Sequence, residues 1–225
     1  MLLPHGAAAM TIKTVAKLQS DGRMIGDTTV DATGPFAVDL RNFAIDIQST
    51  GSEKVARELL RSRGYIGNGK FELSPPFDLG PHYTLQSHFE INPRMDLLSG
   101  RSFYLIDGLF VVPRPGAMLI GPIEVATLPP AEPTPCYGGA QMEELSLQLP
   151  DGKTLREVPK GTEIKNEFFT YKSDWSVADR TVTVRRAFSS MVRDPVCVGS
   201  LRTDAATALS QIRADYNVAI SLNGQ

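Results

Sequence analysis

The mixed apolar and polar runs 12–18 and 24–32 read as strands, and the two are joined by Ser20-Asp21-Gly22-Arg23. Alternation predicts strands with one buried face, and Asp-Gly supplies the positive φ of a tight hairpin turn. After Gly34-Pro35 the period changes. Phe36, Leu40, Phe43 and Ile47 stand 4, 3 and 4 apart, which places them on one face of a helix. Thr50-Gly51-Ser52-Glu53 reads as a capping box opening a second helix, with Val55, Leu59 and Leu60 turned inward and an end near Gly64. Strands return at 70–73 and 82–91. In the second of these, Tyr83, Leu85, Phe89 and Ile91 oppose His82, Thr84, Gln86, His88 and Glu90. A sheet with one packed and one wetter side is the expectation.

A further strand is expected at 101–112, broken at Asp107-Gly108. The stretch 121–138 is crowded with proline and reads as a connector. That suggests an α+β domain over 11–128 and an antiparallel β domain with a C-terminal helix over 136–225. In the second, Leu145, Leu147 and Leu149 alternate up to the turn Pro150-Asp151-Gly152. Phe169, Tyr171, Trp175 and Val177 share a face, Ala178-Asp179-Arg180 bends the chain, and Val182, Val184, Phe188 and Val192 return as the partner strand. A helix over about 204–216, capped by Thr203/Asp204, and a short strand at 218–222 close the chain. The predicted class is α+β, predominantly antiparallel and sandwich-like, with about three helices.

The chain has 225 residues and 42% hydrophobic content, enough to bury about 70% of its unfolded surface without a metal or staple. Its 23 basic and 25 acidic residues leave a net charge of −2. Such a balance gives no whole-molecule field for nucleic acid or anionic lipid, and no apolar run is long enough for membrane insertion. The first nine residues lack a basic start and are interrupted by Pro4 and His5, so they do not read as a secretory signal.

Cys136 precedes the strand predicted at 142–149, and Cys197 follows the one at 181–192. If those strands are antiparallel neighbours, the two thiols are close. A bond between them would close a loop worth about 4 kcal/mol in the chain-entropy model and would indicate a periplasmic or otherwise extracytoplasmic setting. Two unrelated buried thiols are the other reading.

Candidate chemistry is sparse. Gly64-Tyr65-Ile66-Gly67-Asn68-Gly69-Lys70-Phe71 begins like a phosphate loop, but Phe71 stands where a Ser or Thr must reach magnesium, and the helix precedes the loop instead of following it. His88 and Glu90 project from one strand face roughly 7 Å apart, a spacing for two metal ligands or for an imidazole oriented by a carboxylate. A solvated polar face is the plainer reading of both. Asp21, Asp27, Asp31 and Asp39 cluster early in the chain. The first three are candidate ligands of a divalent cation such as calcium, although no known calcium-loop spacing is present. Lys172, Arg185 and Arg186 suggest a small basic patch beside Tyr171 and Trp175, with Trp175 read as core.

Leu18-Gln19-Ser20-Asp21-Gly22, Gly34-Pro35-Phe36-Ala37-Val38-Asp39-Leu40-Arg41, Tyr83-Thr84-Leu85-Gln86 and Cys136-Tyr137-Gly138-Gly139 form a diffuse pattern. It continues through Tyr171-Lys172-Ser173, Arg180-Thr181-Val182-Thr183-Val184-Arg185-Arg186 and the terminal helix at 201–216. Over about 11–222 this pattern resembles the β-rich region of unknown function that follows the core of bacterial transglutaminase-like (papain-type) proteins. The resemblance implies a companion domain whose partner is an upstream papain-like core or another protein, with no cofactor of its own. The family's Cys-His-Asp order is not met, because His5, His82 and His88 all precede both cysteines. The alternative expectation is a small hydrolase, with or without a divalent cation, that acts on an ester, lactone or amide.

Overall fold

A computed structural model describes residues 8–106, 109, 133–135, 138–193 and 196–223. The first hairpin is β1 (Ala9–Leu18) and β2 (Met24–Thr33), turned at Gly22 with φ 83°. The helices α1 (Pro35–Thr50) and α2 (Ser52–Ser62) follow, then the hairpin of β3 (Gly67–Leu73) and β4 (His82–Ile91). A single helical turn at Met95–Leu98 and the short β5 (Phe103–Tyr104) end the first stretch. Beyond come β6 (Thr134–Pro135), β7 (Gly139–Gln148), β8 (Glu163–Lys165), β9 (Phe169–Ala178), β10 (Thr181–Ser190) and β11 (Val196–Cys197). The long helix α3 (Gly199–Tyr216) and β12 (Ala219–Ile220) close the fold.

Eight strands form one sheet in the order β3-β4-β2-β1-β7-β10-β9-β8. All neighbours are antiparallel except β1 and β7, which pair in parallel from Ala9↔Ala140 to Lys17↔Gln148. β1–β4 of the first stretch and β7–β10 of the second are therefore hydrogen-bonded into a single sheet. Two short pairs, β11 with β6 and β12 with β5, stand beside it. The α+β, predominantly antiparallel class is realised, with the helices gathered over one face of the sheet.

Register and alternation explain that face. Ile12 lies beside Val30, Val30 beside Leu85, and all three are fully buried. On the other side of the parallel junction, Leu147, Val182 and Val184 continue the same buried surface. Phe36, Leu40 and Ile47 of α1 cover it as the spacing predicts, and Phe43 meets Phe71 edge to face at 5.7 Å. Gly26 makes room for Phe89: a Cβ there would stand 2.5 Å from the ring.

Local cap chemistry departs from expectation in two places. The Thr50 capping box does not form, because α1 runs through Thr50 and Gly51 occupies the α2 N-cap without a side-chain bond. Ser52 instead accepts the Phe71 N–H at 2.6 Å, so its hydroxyl satisfies a donor on strand β3 in place of a helix end. The last helix begins at Gly199, ahead of the predicted Thr203/Asp204 cap, and Thr203 donates to the Gly199 carbonyl from inside it. The strand expected at 101–112 is confined to Phe103–Tyr104 among the described residues.

β7 and β10 are antiparallel neighbours, the condition on which the cysteine argument rested. Cys136 itself, and the side chain of Cys197, lie outside the described residues, and no disulfide is formed among those described.

Candidate functional site

The face of the sheet away from the helices is polar. It is built by the alternate residues of the strands whose partners fill the core, so its composition follows from period-2 geometry. His88 and Glu90 both stand on it, as their spacing requires. The carboxylate that holds the imidazole is Asp27, directly across on β2, with Oδ1 2.8 Å from His88 Nδ1. Glu90 is engaged instead by Arg23, whose Nη1 lies 3.3 Å from Oε1.

The other acidic candidates are also separately occupied. Asp21 sits in the hairpin turn, where it accepts the Arg23 backbone N–H at 3.0 Å and Arg23 Nε at 2.7 Å. Those bonds, the backbone one first, hold its carboxyl below the usual range. Asp31 accepts the Thr84 hydroxyl at 2.6 Å. Asp27 and Asp31 are four residues apart on one strand, roughly 13 Å, and Asp39 lies on α1. Among the described residues no group of three or more His, Cys, Asp or Glu is placed to hold a metal. The structure thus brings Asp27 to His88 but does not bring Asp21, Asp27 and Asp31 together.

Beside His88 and Glu90 lies a shallow depression of about 310 Å³, lined also by Asn68, Lys70 and Glu53. Lys70 faces His88 across the β3–β4 pair, and its Nζ is 3.3 Å from Glu72. The glycine-rich run at 64–70 therefore contributes a turn and a strand wall. The strand leaves directly from it, with no helix N-terminus facing a phosphate.

The predicted basic patch does not exist as such. Lys172 is 3.0 Å from Asp174, and Arg185 is 2.7 Å from Glu144, all on the open face. Arg186 is one residue out of phase with Arg185 and points into the core. There its Nη1 donates to Glu143 at 2.9 Å and its Nε to Asp215 at 3.0 Å. Tyr171 and Ser173 donate to Asp215 at 2.7 and 2.6 Å, and Tyr216 donates to Glu143 at 2.6 Å. The guanidinium also lies 4.0 Å from the Tyr216 ring centroid and 5.7 Å from that of Trp175. Burial opposes its charge, but Glu143 and the two tyrosines outweigh that, so its proton is held more tightly than in water. Burial first, then the adjacent carboxylates, raise the Tyr171 and Tyr216 phenols well above their ordinary value.

This buried network escaped the sequence reading. Its signal was the phase: Glu143 alternates with Leu145 and Leu147, and Arg186 with Val184 and Phe188. Chemically it is a closed lock, because its carboxylates are turned toward protein donors and none of its members is a Ser–His or Cys–His pair.

No known family matches the chain, and no curated protein does. One solved structure with a partial likeness is a putative protease from Parabacteroides distasonis, at 12% identity and a TM-score of 0.36. The match covers 44% of this chain and 20% of that one, so the chain spans about a fifth of that protein's length. A likeness of this extent carries no argument about fold or function.

Proposed function

We propose that the chain is a non-catalytic accessory or interaction domain, of the kind that accompanies a transglutaminase-like, papain-type core in bacteria. The observation that supports this most is the state of its polar groups. On the open face several ionisable side chains are engaged in pairwise contacts, Asp27 with His88, Arg23 with Glu90 and Arg185 with Glu144. None of these contacts includes a serine or cysteine nucleophile. A broad one-sided sheet of this sort offers a contact surface, not a reaction vessel.

The test is association in trans. A purified papain-like core encoded beside this gene should co-migrate with the chain on size exclusion, and its amide-transfer rate should change when the chain is added. No co-migration and an unaltered rate would remove the proposal.

A second reading is favoured by one contact. The Asp27 carboxylate fixes the His88 ring beside the 310 Å³ depression, which is how an imidazole is prepared to take a proton from water. In this reading the chain is a small ester, lactone or amide hydrolase. Turnover in an ester and lactone screen, lost in His88→Ala and in Asp27→Ala, would establish it over the accessory role. Repeating that screen with and without chelator decides whether a divalent cation takes part.

A further inference from the structure

The loop at 74–81, between β3 and β4, turns two large apolar side chains to water: Phe77 is 78% exposed and Leu79 is 85% exposed. It is anchored from beneath. Arg41 of α1, itself buried, donates to the carbonyls of Asp78, Gly80 and His82 at 3.1, 2.7 and 3.1 Å, and lies 5.1 Å from the Tyr83 ring centroid. Tyr83 donates to the Ser74 carbonyl at 2.6 Å, and Asp78 Oδ1 accepts the Gly80 N–H at 3.2 Å. A loop held in this way has little freedom left to lose, which lowers the ordering cost of a contact. The same arginine ties the loop to one helix face. Val38 and Ile45 stand three residues before and four residues after Arg41, the spacing of neighbours on a helix surface. They are 54% and 36% exposed, and they lie outside the buried stripe of Phe36, Leu40 and Ile47. Because the Asp78 carbonyl is bonded to Arg41, Phe77 and Leu79 leave the loop on either side of that anchor. Exposed apolar side chains scattered singly are ordinary, but four of them gathered about one anchor are not.

The segments that build this patch carry charge of one sign on their surface. Residues 35–50 and 71–82 contain Asp39, Asp46, Glu72 and Asp78, and no Lys or Arg besides Arg41, whose head is turned onto the loop. The basic residues of α2 begin at Lys54, past the turn at Gly51. Asp39, Asp46 and Asp78 are exposed, and none makes an ion pair among the described residues. Partial desolvation, with no cation to offset it, holds the Asp39 carboxyl above its ordinary value. This combination selects among occupants. Nucleic acid and anionic lipid are repelled by it. A second copy meeting the patch about a two-fold axis would set aspartate against aspartate. A basic amphipathic segment satisfies both halves, with apolar side chains for the four exposed hydrophobic residues and Lys or Arg for the three aspartates.

We propose that the patch formed by α1 and the Phe77–Leu79 loop is a docking site for a cationic amphipathic segment of a partner protein. Such docking deepens the accessory reading by adding a surface and a partner chemistry, and it rests on that reading for the partner's being a protein. The surface is separate from the open sheet face, since it is built by a helix that covers the other side of the sheet and by the loop bonded to that helix. Four apolar side chains and three carboxylates make a small contact, so the association is weak and is strengthened by low salt.

The probe is a fluorescently labelled amphipathic peptide of leucine and lysine, about four helical turns long, titrated with the full chain and followed by anisotropy. It should bind with a Kd on the order of 10–100 µM at low salt and at least about tenfold more weakly at about 0.5 M salt. The same peptide with glutamate in place of lysine should not bind. Phe77→Ser with Leu79→Ser should weaken binding at least about tenfold. Asp39→Asn with Asp46→Asn should weaken it and flatten the salt dependence. Glu163→Gln with Asp174→Asn, on the open face, removes as much negative charge and should change nothing. All six positions are exposed, and unchanged circular dichroism checks that each variant is folded. A wild-type chain that ignores the lysine peptide, a loop variant that binds it as tightly, or an open-face variant that loses as much would overturn the docking site. So would capture of phosphatidylcholine vesicles by the wild-type chain, which would make the loop a membrane contact. No papain-like core enters the titration. An unbound peptide with a co-migrating core removes the docking site alone, and a bound peptide without co-migration removes the papain-type reading alone.

Discussion

Arg185 and Arg186 are consecutive residues of β10, and both pair across to β7, with Glu144 and Glu143 respectively. Both contacts are short, 2.7 and 2.9 Å. Because side chains alternate, one pair faces water and the other faces the core. The Arg185 and Glu144 side chains are 62% and 36% exposed, whereas those of Arg186 and Glu143 are 4% and 2% exposed. Sequence and strands are held nearly constant; the two pairs differ in burial and in the second carboxylate, Asp215, and the aromatic rings that meet Arg186. Contact distance alone therefore does not distinguish the two pairs, whereas burial and the number of partners do.

The largest break in that comparison is Arg186→Met. It fits the shape of the aliphatic stem but leaves Glu143 and Asp215 facing each other's surroundings without a cation. Uncompensated buried charge typically costs about 3–5 kcal/mol, a large part of the stability of a domain this size. Urea unfolding should show a midpoint shift of that order, or a chain that no longer folds at room temperature. A loss below about 1 kcal/mol would mean that water reaches the network and that the contrast with Arg185 is false.

The tyrosines extend the comparison to pH. In the folded chain Tyr171 and Tyr216 keep their protons to higher pH than an ordinary phenol does, since burial and the neighbouring carboxylates oppose a second negative charge. The unfolded chain releases those protons near pH 10. Folded protein then binds more protons than unfolded, so the stability these groups confer is complete below about pH 10 and declines as pH rises beyond it. Tyr216→Phe should flatten that alkaline decline. At neutral pH it should cost about 1.5–3 kcal/mol, the range for a hydrogen bond to a charged group. Denaturation curves at neutral and alkaline pH measure both effects, and an equally steep alkaline limb in the variant would show that Tyr216 is not protected.

Much of this architecture was legible because it is periodic. Tyr83, Leu85, Phe89 and Ile91 fall on alternate positions of one strand, and Phe36, Leu40 and Ile47 repeat at helical spacing; these patterns place them in the core. What escaped notice depends on pairing between remote segments. Asp27 meets His88 only because β2 lies beside β4 and not beside β3, the next strand in sequence. The open-face depression needed β3 as its wall, and the parallel β1–β7 junction has no local signature. Glu143 and Arg186 could have been flagged from charges of opposite sign in apolar phase. Asp215 could not, because it arrives from α3. Thr50 shows the converse error: a good local capping pattern was overridden because α1 runs on through Thr50 and leaves Gly51 at the α2 N-cap.

Gln141 sharpens the rule from the opposite side. It lies two residues before Glu143 on the same buried face of β7, 1% exposed, yet neither its amide nitrogen nor its amide oxygen has a partner among the described residues. Burial without pairing should be unfavourable whether or not the group is charged. Gln141→Met keeps the length and removes both polar atoms, so thermal or urea unfolding should show a gain of about 1–2 kcal/mol. A loss of similar size would reveal a hydrogen-bonded guest at this position.

The smallest expected effect is the counterpart of the largest. Arg185→Met removes a cation from Glu144, but that carboxylate remains 36% exposed and can be hydrated where it stands. Exposed pairs contribute about 0–1 kcal/mol, and less as salt rises. The variant should therefore unfold within about 1 kcal/mol of the parent at low ionic strength, with the difference vanishing at about 1 M salt. Side by side, the two methionine variants change the same residue type at adjacent positions, so helix content, strand propensity and chain entropy cancel to first order. What remains is the difference between a charge abandoned in a dry interior and one abandoned in water. If the Arg185 variant lost as much stability as the Arg186 variant, and kept that loss in high salt, the open face would have to be covered in solution.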